Sequence, residues 1–329
     1  MDLKNKNVLF IAPKYFNYEN YIKKSLESMG ADVYLIYENL VYFSSTYHYL
    51  RKFFPTIFKK VANNYFYKNI NKINCEKIDY VLVIRGEFLS VNFISFLRNK
   101  YGDKCKFILY QWDSIINNPN AIVISPYFDK CLSFDLSDAK KYSWNYRPLF
   151  YINRLANPSL EKKYDMLFIG SMHSQRVSIH YLIKKFCELN RLKYYSHIFS
   201  FRIGYFKNKY FLRKKEFIAD IDNDVRFSTL SLEECYKLYN TSRILVDYAH
   251  PGQSGLTMRT VEALGCGCKM VTNNEAIMSS DFYNPNNIYI YDSTNIDIPL
   301  KFIETPYEEI DKEIVRTYSL EYWIDEVFR

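Results

Sequence analysis

A chain of 329 residues, 48% of them hydrophobic, can fill about two cores, which excludes a disordered or fibrous polypeptide. Its formal net charge is +8, and aromatic residues reach 18%, with 32 Tyr and 25 Phe. No run of about 18 apolar residues occurs, so no membrane-spanning helix is expected, and Met1-Asp-Leu-Lys-Asn-Lys-Asn leads into an apolar run rather than a secretory signal.

In chain order, the first half alternates apolar runs with helical stretches. Strands are predicted over 7–12, 32–37, 79–84, 105–110, 122–124 and 130–134. Helices are predicted over 17–29, 45–72 (broken near Pro55), 90–100 and 137–142. A joint falls between Arg147-Pro148 and Pro158-Ser-Leu-Glu-Lys-Lys163, where prolines and polar residues gather. The second half restarts the pattern, with strands near 165–169, 196–201, 224–228, 243–248, 269–272 and 287–291. Helices follow near 175–190, 207–218, 231–240, 257–265 and 306–329, the last broken around Ser319. Alternation of this kind predicts an α/β chain of two doubly wound, Rossmann-like domains facing each other across a cleft. The expected bounds are 1–150, 160–310 and a C-terminal helix over 311–329 that packs back toward the first domain.

Ligands of such sheets bind at the carboxyl ends of the strands. In the first half that rule selects Pro13, Lys14 and Tyr15, then Arg85, Gly86 and Glu87, then Gln111, Trp112 and Asp113, and then Asp135. In the second half it selects Gly170–His173, Ser228-Thr229, Asp247–Gly252 and Asn273-Asn274.

The seven cysteines (75, 105, 131, 187, 235, 266 and 268) are scattered, odd in number and mostly in apolar runs, which reads as reduced thiols of a cytoplasmic protein. Cys266-Gly-Cys268 lacks a second half and reads as packing. Basic residues cluster. Between Asn39 and Cys75 there are six Lys/Arg and no acid, interleaved with aromatics from Tyr42 to Tyr67. A second block, Lys184 to Lys215, holds ten basic residues against Glu188 alone. Such mixtures suit an anionic membrane surface, so 42–72 is expected to touch the inner face of the cell membrane peripherally. No RNA- or DNA-binding module accompanies them, and nucleic acid is not an expected partner.

The densest motif is Gly252-Gln-Ser-Gly-Leu-Thr-Met-Arg-Thr-Val-Glu-Ala-Leu-Gly-Cys-Gly267, between the apolar runs Ile244-Leu-Val-Asp-Tyr248 and Lys269-Met-Val-Thr272. A glycine loop opening a helix near Thr257 presents free N–H groups and a positive dipole end, which suit phosphate. Arg259 and Glu262 stand three apart on one helix face. Arg259 can pair with a diphosphate, and Glu262 can accept from a ribose diol. Upstream, Tyr164-Asp-Met-Leu-Phe-Ile-Gly170 reads as a strand ending in glycine, followed by Ser171-Met-His173-Ser-Gln-Arg176. There Gly170 admits a close backbone approach, and Ser171 and Arg176 can donate to phosphate. Asp220-Ile-Asp-Asn-Asp224 contains two Asp-x-Asp matches but precedes a strand, and reads as a polar loop.

Arg259-Thr-Val-Glu262-Ala263-Leu-Gly-Cys-Gly267 resembles the donor-binding segment of GT-B glycosyltransferases, in the group-1 branch that includes the CgeB-like proteins. Phe168-Ile-Gly170 with Arg176, and Arg316-Thr-Tyr-Ser, resemble further elements of that branch. Where many such enzymes carry Glu-x7-Glu, position 254 is Ser, so Gln253 or Ser254 stands in for the first glutamate. The resemblance implies a donor site of Gly170, Ser171, His173, Arg176, Gln253, Ser254, Gly255, Thr257, Arg259 and Glu262. It adds a nucleobase pocket by Ser228 and Thr229, beside the helix over 232–240. It implies a nucleotide-sugar substrate, with UDP the expected nucleotide, no cofactor and no metal.

Transfer also needs a group that deprotonates an acceptor hydroxyl. Asp113 is the first candidate, since a carboxylate partly buried beside Trp112 gains proton affinity. Glu87 is the second, with His250 and His173 as rivals. Lys14, Tyr15, Arg85 and Trp112 are the expected acceptor side. The expected activity is metal-independent transfer of a sugar to a growing, lipid-linked glycan of a surface polysaccharide. A GT-B sugar-nucleotide epimerase and a non-catalytic sugar-nucleotide or glycan-binding component are the alternatives.

Overall fold

The computed structural model describes residues 3–38, 53–172, 175–211, 222–249, 255–292 and 296–329. The chain divides into two compact units, residues 1–149 with 320–329, and residues 150–319. Among the described residues each unit holds one six-stranded sheet, and every strand pair is parallel.

In the first unit the strands are β1 (Asn7–Ala12), β2 (Asp32–Tyr37), β3 (Tyr80–Ile84), β4 (Lys106–Gln111), β5 (Lys130–Ser133) and β6 (Asn145–Tyr146). They lie in the order β2-β1-β3-β4-β5-β6, which reverses direction between β1 and β3. The middle strands read as unbroken apolar runs because helices cover both faces. Val8 to Ala12 and Phe107 to Gln111 are buried throughout. Helix Pro55–Ile70 turns Phe58, Ala62, Phe66 and Ile70, spaced by four, into this core.

Residues 122–124, expected as a strand, lie in helix Asn120–Ile124. Ala121 and Ile124, three apart, are buried while Ile122 and Val123 face solvent, which is helical and not alternating periodicity. The far end of the chain belongs to this unit. Helix Leu320–Phe328 buries Leu320, Trp323, Ile324, Val327 and Phe328. Lys130 Nζ donates to the carbonyls of Glu326 (2.7 Å) and Val327 (3.2 Å) at its end.

In the second unit the strands are β7 (Tyr164–Ser171), β8 (Tyr194–Phe199), β9 (Val225–Arg226), β10 (Ser242–Val246), β11 (Lys269–Thr272) and β12 (Ile288–Ile290). Their order is β12-β11-β10-β7-β8-β9. Counted within the unit this is 3-2-1-4-5-6, the dinucleotide-binding order, with its switch point between β7 and β10. The expected strand over 224–228 shrinks to two residues at the sheet edge, and the helix expected over 207–218 starts earlier, in Arg202–Phe211, with 212–218 outside the described residues. Residues 306–329 form two short helices, Lys312–Thr317 and Leu320–Phe328, parted at Ser319, where the backbone bridges to Tyr151. Among the described residues no helix is long and apolar enough to cross a membrane.

Gly265 closes helix Met258–Gly265 against the ring of Tyr151. A Cβ there would stand 2.3 Å from Tyr151 Cδ2 and 2.4 Å from Cγ. Neither the ring nor the helix end can yield without repacking. Gly265→Ala is therefore expected to cost about 1–3 kcal/mol, a Tm loss of roughly 2–12 °C. A thermal melt unchanged to within a degree would show that this contact is loose.

Candidate functional site

The switch point of the second unit is built by three loops. β10 ends at Val246, and Asp247 follows with no exposure at all. Its Oδ2 accepts from Thr257 Oγ1 at 2.7 Å, and its Oδ1 pairs with Arg259 Nη1 at 3.3 Å. Thr257 is also the N-cap of helix Met258–Gly265, its Oγ1 accepting from Thr260 N at 3.2 Å. One buried carboxylate thus fixes both the start of the helix and the arginine on its first turn. The Arg259 side chain remains 24% exposed.

The loop after β11 closes the same end. Asn273 Oδ1 accepts from Ala249 N (2.7 Å), and Asn273 Nδ2 donates to Ala249 O (3.1 Å). Asn274 Nδ2 donates to Gly255 O (3.1 Å), and Tyr291 Oη donates to Asp247 O (3.1 Å). From the β7 side, Arg176 Nη1 donates to Ser171 Oγ (3.2 Å), and Gln175 Oε1 meets Tyr248 Oη at 3.2 Å. A Cβ at Gly170 would press on Phe168 Cε1 at 3.1 Å and make only ordinary contact with Arg176 Cδ at 3.6 Å. Burial, Asp247 and Tyr248 push the Tyr291 hydroxyl up, and the Arg176 guanidinium opposes them.

Gly170 and Ser171 end β7, Gly255 and Thr257 lie on the loop that follows β10, and Arg176 and Arg259 open the helices that follow, so all six stand at the carboxyl ends of the adjacent strands β7 and β10. Glu262 lies deeper, 1% exposed, where burial first and its charge second push Cys235, Tyr236 and Tyr239 up. Ser228 and Thr229 follow the edge strand β9, two strands from β7. Ser228 is anchored there by its carbonyl, 3.0 Å from His197 Nε2. His173, His250, Gln253 and Ser254 lie outside the described residues, as do 39–52 of the basic–aromatic segment.

A second constellation occupies the carboxyl edge of the first unit. Arg85 and Gly86 follow β3 in consecutive left-handed conformations, φ +74° and +70°. For arginine this costs on the order of 1–3 kcal/mol, and it persists only when its surroundings enforce it. They do so here. Buried Glu38 accepts from Gly86 N (3.1 Å) and Phe88 N (2.8 Å). Gln111 Nε2 (2.7 Å) and Asn118 Nδ2 (2.6 Å) both donate to Arg85 O. Asn120 Nδ2 donates to Gly86 O at 2.7 Å. Burial pushes the Glu38 carboxyl up to about 7, against the Phe88 and Gly86 N–H groups and the Arg85 guanidinium.

The turn thus held presents Arg85 Nη2 to Glu87 Oε2 at 3.0 Å and to Asp113 Oδ2 at 3.7 Å. Asp113 is further fixed through Oδ1 by Ser114 N (2.9 Å) and Asn117 Nδ2 (3.0 Å). Trp112 lies 6.0 Å from the ring of Tyr15, which is 52% exposed. Lys14 is also exposed and stands over the Tyr37 ring at 6.0 Å. Sequence reasoning brought both carboxylates to this edge but did not pair them through Arg85. It also passed over Glu38, whose signal was its place directly after β2, a carboxyl end like the others.

Residues 204–307 match a family model described as glycosyl transferase-like. No curated protein matches the sequence. Several solved structures share the architecture over nearly the whole chain. A glycosyltransferase from Rickettsia africae is 13% identical over 98% of this chain and 97% of its own, with a TM-score of 0.58. A sucrose-phosphate synthase from Thermosynechococcus elongatus is 9% identical, covering 99% and 98%, with a TM-score of 0.59. HepE of Anabaena, in complex with UDP and glucose, is 12% identical, covering 98% of each chain, with a TM-score of 0.56. The two parallel-sheet units are those of the GT-B glycosyltransferase fold.

Proposed function

We propose that the protein transfers a sugar from a nucleotide-sugar donor to a growing glycan, as in synthesis of lipopolysaccharide, capsule or another surface polysaccharide. One observation carries this reading: the Asp247–Thr257–Arg259 arrangement stands at the switch point, within the segment that matches the glycosyltransferase model. Arg259, Arg176 and the first N–H groups of helix Met258–Gly265 are the groups to take the diphosphate charge, a metal-independent route. UDP is the proposed nucleotide, a choice supported by the UDP in the Anabaena structure. The run Arg259–Gly267 supports a place in the CgeB-like branch.

In the first unit, Asp113 is the proposed base and Glu87 the reserve. Helix Pro55–Ile70 supports peripheral docking on an anionic inner membrane face. Phe53 and Phe54 before it are each 59% exposed, Ile57 is 52% exposed, and Lys59, Lys60 and Lys68 also face solvent.

Thermal shift of the full chain with UDP, GDP, dTDP and CDP tests the donor site. At about 100-fold excess over Kd, UDP is expected to stabilise by about 2.7 kcal/mol, a shift of roughly 5–11 °C, unchanged by chelator. Absence of a shift with every nucleotide would overturn the reading. Asp113→Asn is expected to lower kcat by about 10²–10⁴ with the donor Kd unchanged. If that variant kept full turnover, the base would have to be sought at Glu87.

A further inference from the structure

We infer that helix Arg202–Phe211 of the second unit lies on an anionic lipid surface. Ile203, Phe206 and Tyr210 would enter the headgroup layer, and Arg202 would pair with lipid phosphates. This contact is distinct from the one proposed for helix Pro55–Ile70 and does not depend on the transfer reaction.

The helix carries its polarity the wrong way round. A surface helix normally turns its apolar stripe to the core and its polar side chains to water. Here the inward ties are polar. Buried Tyr205 donates its hydroxyl to Asp222 Oδ1 at 2.8 Å, and Lys209 Nζ donates to Tyr205 Oη at 3.0 Å and pairs with Asp222. Ile203, Phe206 and Tyr210, at positions i, i+3 and i+7, make one outward stripe. They are 85%, 50% and 62% exposed. The Phe206 and Tyr210 rings stack with centroids 6.2 Å apart and planes 10° apart, so the stripe is formed before any partner arrives. Phe201 precedes the helix, and Phe227 comes alongside from the end of β9, its ring 5.5 Å from that of Tyr205. Both are exposed. A run of exposed apolar side chains of this kind marks an interaction surface.

The charges beside the stripe select the partner. Arg202 is exposed and stands over the Phe227 ring at 5.0 Å, and Arg226 is exposed just before that ring in the chain. The nearby acids are already held, Asp222 by Lys209 and Asp224 by Lys184 and His180. The sequence from Lys184 to Lys215 keeps ten basic residues against Glu188 alone. Rings and guanidiniums side by side match the headgroup layer, where apolar groups and phosphates are met together. Each cation held there adds to binding. Single-stranded nucleic acid also takes rings and cations, but its bases need faces to stack on. Ile203, the most exposed side chain of the stripe, offers none, whereas a lipid layer accepts it as readily as a ring.

Co-sedimentation of the full chain with vesicles of pure phosphatidylglycerol and of pure phosphatidylcholine tests this. Phosphatidylglycerol is expected to bind about tenfold or more tightly than phosphatidylcholine. Ile203→Ser combined with Phe206→Ser is expected to weaken binding to phosphatidylglycerol by about tenfold, and Arg202→Gln by about fivefold. The double variant should melt within about 2 °C of wild type, because the stripe lies outside the core. A larger loss would show that the chain itself covers the stripe, and would overturn the inference. So would unchanged vesicle binding by the double variant. If Phe54→Ser with Ile57→Ser abolishes vesicle binding while the stripe variant keeps it, the inference falls and docking through helix Pro55–Ile70 stands. Binding of oligothymidylate in place of vesicles, lost in the stripe variant, would assign the surface to nucleic acid and overturn the inference. A wild-type dimer that the stripe variant dissolves in sedimentation velocity, with no vesicle binding, would assign it to a second copy and overturn it too. If wild type binds neither vesicle, both docking proposals fall and the transfer reading stands.

Discussion

Replacing Arg259 with alanine is expected to lower kcat/KM for sugar transfer by about 10²–10³. Leaving-group stabilisation acts through donors already in place when charge develops, and Arg259 is in place before any ligand arrives. Asp247 Oδ1 holds its Nη1 at 3.3 Å, and Asp247 is in turn fixed by Thr257 Oγ1 at 2.7 Å. The guanidinium needs no reorganisation to meet a diphosphate, and it sits where the helix dipole adds to its charge. Arg259→Lys should recover only part of the loss, because a point charge lacks the planar fork that spans two oxygens.

The alanine variant also leaves Asp247 without its cation at a fully buried position, so some stability will be lost along with activity. Melting curves of both variants, read beside UDP release in the presence of acceptor, separate the two effects. Wild-type kcat/KM in a folded Arg259→Ala protein would remove the diphosphate role.

The sequence made the strand positions readable because the central strands of a doubly wound sheet are apolar on both faces. β1, β3, β4, β10 and β11 are such runs, and each lies within a residue or two of its expected place. Edge elements carry no such signal. β6 and β9 are two residues long, set by a neighbour's backbone and not by their own side chains. Residues 122–124, expected as a strand, fit either period, and only the burial of Ala121 and Ile124, three apart, decides for a helix.

The site was legible as places and not as pairs. The carboxyl-end rule reached Arg85, Glu87, Asp113, Asp247 and Asn273 from topology alone. It could not show that Asp247 would hold Arg259 twelve positions on, nor that Glu38 would brace a turn 48 residues away. Such partnerships are set by tertiary packing and leave no local spacing in the chain.

Trp323→Ala is expected to destabilise the first unit by about 3–5 kcal/mol. Trp323 is fully buried, and its ring stands edge-on to Tyr110 at 4.8 Å and 88°. Tyr110 in turn directs its hydroxyl to the carbonyls of Arg147 (3.1 Å) and Pro148 (3.2 Å), where the chain leaves this unit. Removing the indole would open a cavity beneath β4, the strand that delivers Trp112 and Asp113. The polar ties of the same helix cannot compensate. The Arg147–Glu326 pair at 3.1 Å and the Lys130 bonds to the helix end orient the helix but bury little apolar area. Trp323→Phe keeps a ring against Tyr110 and should lose much less. The proposed donor site lies in the other unit, so UDP affinity should stay within about threefold while the first unit's unfolding midpoint falls. Urea unfolding followed alongside UDP titration checks both. A loss of UDP binding equal to the loss of stability would show that the two units do not keep their stabilities apart.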